Sequence, residues 1–256
     1  MPELTRDELG RHLVATRIAG SVQTPVADVL RKAELVAAGD PDHCFGLSGM
    51  IRYSPSDVLD QVRLQFGWTH TKGEPAFGPT WIDPELLLDE LDRAVERLRR
   101  AAENGERVVF ASGHPTGVLA LHQQVCTALR NAGAKVPRPG DGTAFRLREH
   151  RRQVRYVQYV AVLASGANLY HTHDSHPMEL VLDQTDGDLD LVVGDHGWAG
   201  AAAERGIDVI GIADINDPAL PMARAEGRAG VVLPMDDNVL PVHYDPVGDY
   251  LIARLS

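Results

Sequence analysis

Residues 108–117 read VVFASGHPTG, and this stretch decides the fold class. The continuous apolar run at 108–111 is typical of a strand buried on both faces of a parallel sheet. The glycine- and proline-containing turn at 112–117 follows it, and the spacing beyond the turn predicts a helix over 118–131. A strand, a turn and a helix in this order are the first unit of an α/β domain.

The same alternation continues toward the C-terminus. We predict further strands at 135–136, 154–163, 169–171, 189–193, 209–212 and 230–233, and helices at 177–182, 198–205 and 218–226. The segments at 154–163 and 169–171 form a plausible hairpin, and the others repeat a strand-loop-helix order. Residues 106–256 therefore read as a Rossmann-like α/β domain, with a mostly parallel sheet and helices on both of its faces.

Residues 1–105 read as a mostly helical N-terminal region. Thr5 and Glu8 have the spacing of a capping box, and Asp83 precedes Pro84 as a helix cap would. Thr24 and Pro25 have the same arrangement, which predicts a helix that begins at Pro25. We expect this region to be able to cover the site as a lid.

Composition excludes several classes of protein. The chain has 256 residues, of which 44% are hydrophobic, and its formal net charge is -11. It can bury a sizeable core, and the acidic balance argues against nucleic-acid and anionic-membrane partners. Without a signal sequence or a long apolar run, and with two cysteines that we expect to be thiols (Cys44 and Cys126), the pattern predicts a cytoplasmic protein. It leaves open a homo-oligomer.

Ionisable residues cluster directly after the predicted strands. Ligands of open α/β sheets bind beyond the carboxyl ends of the strands, so these residues are candidates for one site. They are His114, His171, His173, Asp174, Asp195, His196, Asp214, Asn216, Asp217, Asp236 and Asp237.

The turn at 112–117 is a candidate phosphate site. Backbone N–H groups and the helix dipole at such a turn favour an anion. We expect phosphate contacts from Ser112, Gly113, His114, Thr116 and Gly117. An ordinary turn capped by a threonine is the alternative, and the segment matches neither a P-loop nor a dinucleotide-binding fingerprint.

Histidines and carboxylates supply candidates for catalysis. His171 and His173 are two residues apart on a strand end, so their side chains share a face and suit a metal or acid–base chemistry. The spacing alone favours the alternative, a pair of exposed edge histidines. Asp195 and His196 form a second candidate pair, although Asp195 is also a natural helix cap.

Oxygen ligands predict a hard divalent cation. Asp195, Asp214 and Asn216 offer the carboxylate and amide oxygens that Mg²⁺ or Mn²⁺ prefers. The arginine-rich run RLREHRRQVR at 146–155 has two readings: it could receive a phosphate-bearing substrate, or it is a solvated strand edge that blocks pairing.

Several segments together resemble a family of actinobacterial proteins named phosphatases. The similarity lies in FASGHPTGVLALH (110–122), LYHTHDSHPMELVL (169–182), LVVGDHGWAGAAAERGID (191–208), IADINDPALPMARAEG (212–227) and LPMDDNVLPVHYDP (233–246), and also in LVATRIAGSVQTP (13–25) and TWIDPELLLDELD (80–92). The resemblance spans nearly the whole chain and implies hydrolysis of a phosphate ester.

Together these observations give a hypothesis of function. We expect a phosphatase for a small phosphorylated metabolite, of the sugar-phosphate or nucleotide type, with a divalent metal and direct attack by water. His171, His173 or His196 would act as acid or base beside Asp195. The alternatives are a sugar-phosphate isomerase or lyase and a non-catalytic binding module. Nucleotide-cofactor binding is the weakest alternative, because the glycine fingerprint is missing.

Overall fold

The computed structural model describes residues 4–71 and 73–255. Within these ranges the strands are β1 (Gly20–Pro25), β2 (Pro79–Ile82), β3 (Val108–Ser112), β4 (Ala144–Leu147), β5 (His150–Val157), β6 (Val160–Ser165), β7 (Asn168–Tyr170), β8 (Leu191–Asp195), β9 (Asp208–Ala213) and β10 (Val231–Pro234). The α-helices are α1 (Arg6–Ala15), α2 (Val26–Ala37), α3 (Pro41–Cys44), α4 (Pro55–Phe66), α5 (Pro84–Glu103), α6 (Leu119–Asn131), α7 (His176–Asp183), α8 (His196–Glu204), α9 (Ala219–Ala225) and α10 (Asp245–Ala253).

A central sheet of eight strands organises the fold. Its order is β10-β9-β8-β3-β6-β5-β4, and β7 pairs with the end of β6. The five strands from β10 to β6 are parallel, while β4, β5 and β7 pair antiparallel. Every residue of β3 and β8 is buried, as the apolar run at 108–111 predicts. The α/β prediction, with a mostly parallel sheet, is confirmed.

Helices cover both faces of this sheet. From β3 the chain passes through α6, β4 and β5 to β6, and from β8 it runs in the opposite direction through α8 and α9 to β9 and β10. Helices α5, α6 and α10 pack together, and α7, α8 and α9 form a second group. One hydrophobic cluster joins residues on both sides of position 105, from Leu9 in α1 to Leu251 in α10.

The N-terminal region departs from the all-helical expectation. Segments 20–25 and 79–82 form the antiparallel pair β1 and β2, so Thr24 is a strand residue and Pro25, rather than Thr24, occupies the N-cap position of α2. The predicted caps at Thr5 and Asp83 are confirmed, because both side chains accept hydrogen bonds from the first turns of their helices.

Two other local predictions are wrong in detail. The segment predicted as one strand at 154–163 is a hairpin, in which Gln158 and Tyr159 take left-handed conformations between β5 and β6. Lys135 makes only an isolated bridge to Arg107, and so the strand predicted at 135–136 is absent from the described residues. The arginine-rich run forms β4 and β5, and β4 is the edge strand of the sheet.

Candidate functional site

The candidate site lies at the carboxyl ends of the strands, where the connections change direction. This point falls between β3 and β8, the location at which open α/β sheets bind ligands. β7 pairs with β6 beyond the end of β3, and the N–H of Thr172 donates to the carbonyl of Gly113 at 2.8 Å. This arrangement brings the histidines that follow β7 against the loop that follows β3. They line a cavity of about 410 Å³.

Asp195 connects the loops of this site. Its Oδ1 accepts hydrogen bonds from the N–H groups of Gly113 at 2.5 Å and His114 at 3.0 Å, and its Oδ2 lies 3.1 Å from Nε2 of His122. Burial opposes ionisation of Asp195, but the hydrogen bonds from His122 and His196 outweigh it and hold the pKa of this carboxyl far below its ordinary value. Asp195 is therefore a buried anion that is fully committed to neighbouring donors.

His196 occupies a sharp junction between β8 and α8. Its φ of 48° is a left-handed conformation that is uncommon for a residue other than glycine and that clusters at functional sites. Nδ1 of His196 lies 2.9 Å from Oδ1 of Asp195, so Nε2 is directed toward Oδ2 of Asp217 at 3.3 Å and Oδ2 of Asp237 at 3.6 Å. The junction thus presents one imidazole nitrogen to two buried carboxylates.

Four histidine rings stack beside this junction. The rings of His114 and His171 have centroids 4.3 Å apart, and those of His173 and His196 have centroids 4.6 Å apart. Burial, followed by the charge of His196, lowers the pKa of both His171 and His173 to about 4. Both imidazoles are therefore neutral near pH 7, which is the form that binds a metal.

Carboxylates on the loops that follow β9 and β10 make the cavity strongly acidic. Asp214, Asp217, Asp236 and Asp237 are all buried. Burial, followed by the charges of Asp237 and Asp236, raises the pKa of Asp214 well above its ordinary value. Burial of His196 favours its neutral form, but the charge of Asp217 and the contact with Asp195 outweigh this and raise the pKa of His196 well above its ordinary value. So much negative charge in one buried place favours a bound cation.

Two buried atoms of the cavity lack hydrogen-bond partners among the described residues. They are Nδ1 of His114 and Oδ2 of Asp237, which lie 3.2 Å apart without the alignment that a hydrogen bond requires. An unpaired buried carboxylate oxygen is costly, so this oxygen is a candidate contact for a ligand or an ordered water.

The N-terminal region contributes two side chains. The hydroxyl of Thr24 donates to Oδ2 of Asp214 at 2.7 Å, and Nζ of Lys32 donates to Oδ1 of Asn216 at 2.9 Å. Lys32 also lies 3.4 Å from Oδ1 of Asp217. The contacts show that β1 and α2 form part of the site, while the role of residues 1–105 as a lid stays a prediction.

Two overlapping sets of side chains are able to hold a metal ion. One is His171, His173 and His196, the other is His196, Asp217 and Asp237, and in each set the ligand atoms lie within 4.8 Å of one another. His196 belongs to both, and its Nδ1 contact with Asp195 is the arrangement by which a carboxylate commonly orients a metal-binding histidine. The unpaired Oδ2 of Asp237 lies 3.6 Å from Nε2 of His196, so these residues fit a divalent metal.

The predicted phosphate loop is tied to the protein itself. The N–H groups of Gly113 and His114 donate to Asp195, and that of Gly117 donates to the carbonyl of His114. Ser112 is buried and its Oγ accepts from the N–H of His114, whereas Thr116 is exposed. A Cβ atom on Gly113 would meet the carbonyl of Thr172, so this glycine admits a neighbouring loop. Phosphate binding by this loop remains a prediction.

The predicted metal ligands take different positions. Asp195 contacts His196 and the loop amides, Asp214 accepts from Thr24 and from the N–H of Ile215, and Asn216 accepts from Lys32. The catalytic candidates His171, His173 and His196 line one cavity, and the fourth, Asp195, is buried beside it in contact with His196.

Three residues of the site were not among its predicted members. They are Thr24, which was predicted only as a helix cap, Lys32 and His122, and all three reach the site through tertiary contacts that no local motif marks. Asp217 and Asp237 were among the strand-end candidates, but the spacing offered no reason to prefer them to Asp214 and Asn216 as ligands. Their partner is His196, which is remote from both in sequence.

Comparison with known proteins agrees with this chemistry. A family model described as Phosphatase matches residues 4–256. The chain belongs to the Phosphatase family. A Streptomyces coelicolor protein that is named a phosphatase is 42% identical, over 98% of this chain and 96% of that protein. The resemblance to an actinobacterial phosphatase family is thus supported. Among the described residues, no helix has the length and apolar character needed to cross a membrane.

Proposed function

We propose that the protein is a metal-dependent phosphatase that hydrolyses small phosphate monoesters. The observation that carries this proposal is that two sets of possible metal ligands meet at His196, which is itself fixed by Asp195. The two sets contain five residues: His171, His173, His196, Asp217 and Asp237. Membership of the Phosphatase family supports the hydrolytic part of the proposal.

The ligand set favours a transition metal. Imidazole nitrogens suit Zn²⁺ or Fe²⁺ and carboxylates suit Mn²⁺, whereas Mg²⁺ prefers oxygen ligands throughout and retains its waters. We therefore propose Mn²⁺ or Zn²⁺ in this place and assign the ligand role to Asp217 and Asp237 instead of Asp214 and Asn216. When bound, such an ion neutralises phosphoryl charge and lowers the pKa of a water molecule.

The other residues have separate tasks in this proposal. Asp195 orients His196, and the Lys32 ammonium places positive charge beside the phosphoryl oxygens. In the hydrolysis a water molecule gives up a proton to solvent and its oxygen forms the new bond to phosphorus, the ester P–O bond breaks, and the leaving oxygen takes up a proton. We assign His114 as the proton donor because its Nδ1 is buried without a hydrogen-bond partner beside Asp237.

The test is release of inorganic phosphate from a panel of sugar phosphates and nucleotides. Wild-type protein is assayed with Mn²⁺, Zn²⁺, Mg²⁺ or a chelator, next to His173→Ala and a control in α1 outside the cavity, His12→Ala. We expect release that the chelator and His173→Ala both abolish. Release that the chelator leaves unchanged would contradict the metal. Interconversion of sugar phosphates without phosphate release would favour an isomerase instead.

A further inference from the structure

We propose that the cleft on the far side of His171 and His173 is a subsite for a second anionic group of the substrate. The inference rests on the proposed phosphatase function and deepens it. It names the substrate class as small phosphate monoesters that carry a further phosphate or carboxylate group in addition to the phosphate that is cleaved.

The cleft adjoins the candidate metal cavity. It has a volume of about 560 Å³, and His171 and His173 line both spaces. The opposite side of the cleft is formed by the β4–β5 hairpin and by Tyr170 at the end of β7. A molecule whose ester phosphate lies at His171 and His173 would therefore extend toward this hairpin.

The arginine-rich hairpin presents only some of its residues to the cleft. Leu147 pairs with His150 across the two strands, and Phe145 pairs with Arg152. Because side chains alternate along a strand, these residues share one face. Leu147, His150 and Arg152 line the cleft. Arg151 and Arg155 alternate with them in β5 and are exposed to solvent. The interpretation of the arginine-rich run as a solvated strand therefore holds for these two residues but not for Arg152.

Arg152 supplies the positive charge of the cleft. Its guanidinium lies over the ring of Tyr170, with its carbon 4.1 Å from the ring centroid, and one N–H donates to the carbonyl of Arg151. Across residues 4–71 and 73–255, no carboxylate oxygen lies within 4.0 Å of this guanidinium. Arg148 is different, because its guanidinium is 2.8 Å from both carboxylate oxygens of Asp42. Arg152 is thus held in place by an aromatic ring while its charge remains available.

The two spaces also differ in charge. The metal cavity is lined by five carboxylates, those of Asp28, Asp214, Asp217, Asp236 and Asp237. The acids of the cleft are committed elsewhere, since Asp42 pairs with Arg148 and Asp174 accepts from the N–H of His176. An anionic group away from the reacting phosphate is repelled by the cavity and attracted by Arg152. A substrate with two anionic groups therefore matches the distribution of charge.

Matched substrate pairs test this inference. The pairs are fructose 1,6-bisphosphate with fructose 6-phosphate, 3-phosphoglycerate with glycerol 3-phosphate, and adenosine 3′,5′-bisphosphate with adenosine 5′-monophosphate. For each pair we measure kcat/KM for the compound with two anionic groups and divide it by kcat/KM for the compound with one. Wild type should favour at least one of the compounds with two anionic groups. Arg152→Gln should lower that ratio by about tenfold or more, the effect of losing a charge-assisted contact. The pair that shows the preference distinguishes a phosphate from a carboxylate.

Arg155→Gln is the matched control, since Arg155 lies in the same strand and faces away from the cleft. It should change the ratio by less than about twofold. The proposal is overturned if wild type favours no compound with two anionic groups. It is also overturned if Arg155→Gln and Arg152→Gln change the ratio of kcat/KM values equally. Hydrolysis of 4-nitrophenyl phosphate, which has a single anionic group, tests the proposed function separately. If that hydrolysis is absent, calorimetric titration of wild type and Arg152→Gln with the matched compounds still tests the subsite through their binding affinities.

Discussion

Oδ1 of Asp195 lies 2.9 Å from Nδ1 of His196, and this contact decides which nitrogen of His196 faces the cavity. The same oxygen accepts the N–H groups of Gly113 and His114, so one carboxylate aligns the loop after β3 with the junction after β8. The acceptor fixes the orientation of the His196 ring, so that Nε2 faces Asp217 and Asp237.

Asp195→Asn tests the orienting role of this carboxylate. The variant keeps one oxygen for His196 but places an amide NH₂ opposite Nε2 of His122 and removes the charge. We expect affinity for Mn²⁺ or Zn²⁺ to fall by about ten- to a hundredfold, as calorimetry would measure. Asp190→Asn is the control, because Asp190 accepts a backbone N–H from Arg107 before the start of β8. Equal affinities for the two variants would remove the orienting role.

Gly117→Ala tests the close approach of two loops. A Cβ at position 117 would collide with the backbone carbonyl of Asp237, so the loop that carries this proposed ligand must move. We expect the free energy of unfolding to fall by about 1–3 kcal/mol and metal affinity to fall with it. Gly10→Ala in α1 meets only the flexible end of Leu88, and it should change stability by less than about 1 kcal/mol. Thermal denaturation with and without metal measures both effects.

Lys32→Met tests the contribution of the N-terminal region to the reaction. The change removes the ammonium that contacts Asn216 and Asp217 while it keeps a side chain of similar length. We expect kcat for a phosphate monoester to fall by about tenfold or more. Lys135→Met, at an exposed position, should leave kcat unchanged. An unchanged kcat for Lys32→Met would confine this lysine to a structural role.

The two cysteines should be unreactive in the folded protein. Both are buried and free, and burial is the main cause that raises the pKa of Cys44 to about 11 and that of Cys126 to about 12. The thiolate is the reactive form, so modification by Ellman's reagent near pH 8 should be slow in the native state and fast in guanidinium chloride. Rapid labelling of the native protein would show that one thiol is accessible.

The sheet could be predicted because its signals are local. The apolar run of β3 and the alternating strands and helices after it specify a parallel arrangement without information from distant residues. The hairpin between β5 and β6 was missed because Gln158 and Tyr159 adopt left-handed conformations that usually belong to glycine or asparagine. β1 and β2 were missed because each is short and their pairing joins segments more than fifty residues apart.

The sequence predicts most residues of the site but not the contacts between them. Strand-end loops gather the histidines and carboxylates at one edge of the sheet, and this follows from the fold class. Which oxygen faces which nitrogen depends on strand order and on loop conformation. Asp195 and Asp217 are both buried acids near His196, yet one contacts Nδ1 and the other faces Nε2. That difference separates the orienting carboxylate from the proposed ligand, and sequence spacing does not contain it.

The most direct test of the central claim is metal uptake by chelator-treated protein, measured by elemental analysis and calorimetry. We expect wild type to bind about one equivalent of Mn²⁺ or Zn²⁺ per chain. Asp237→Asn should weaken this binding by at least about tenfold, whereas Asp249→Asn, in α10 beside Gln124, should not. Uptake far below one equivalent, or an affinity of Asp237→Asn equal to that of wild type, would contradict a metal site at His196 and Asp237.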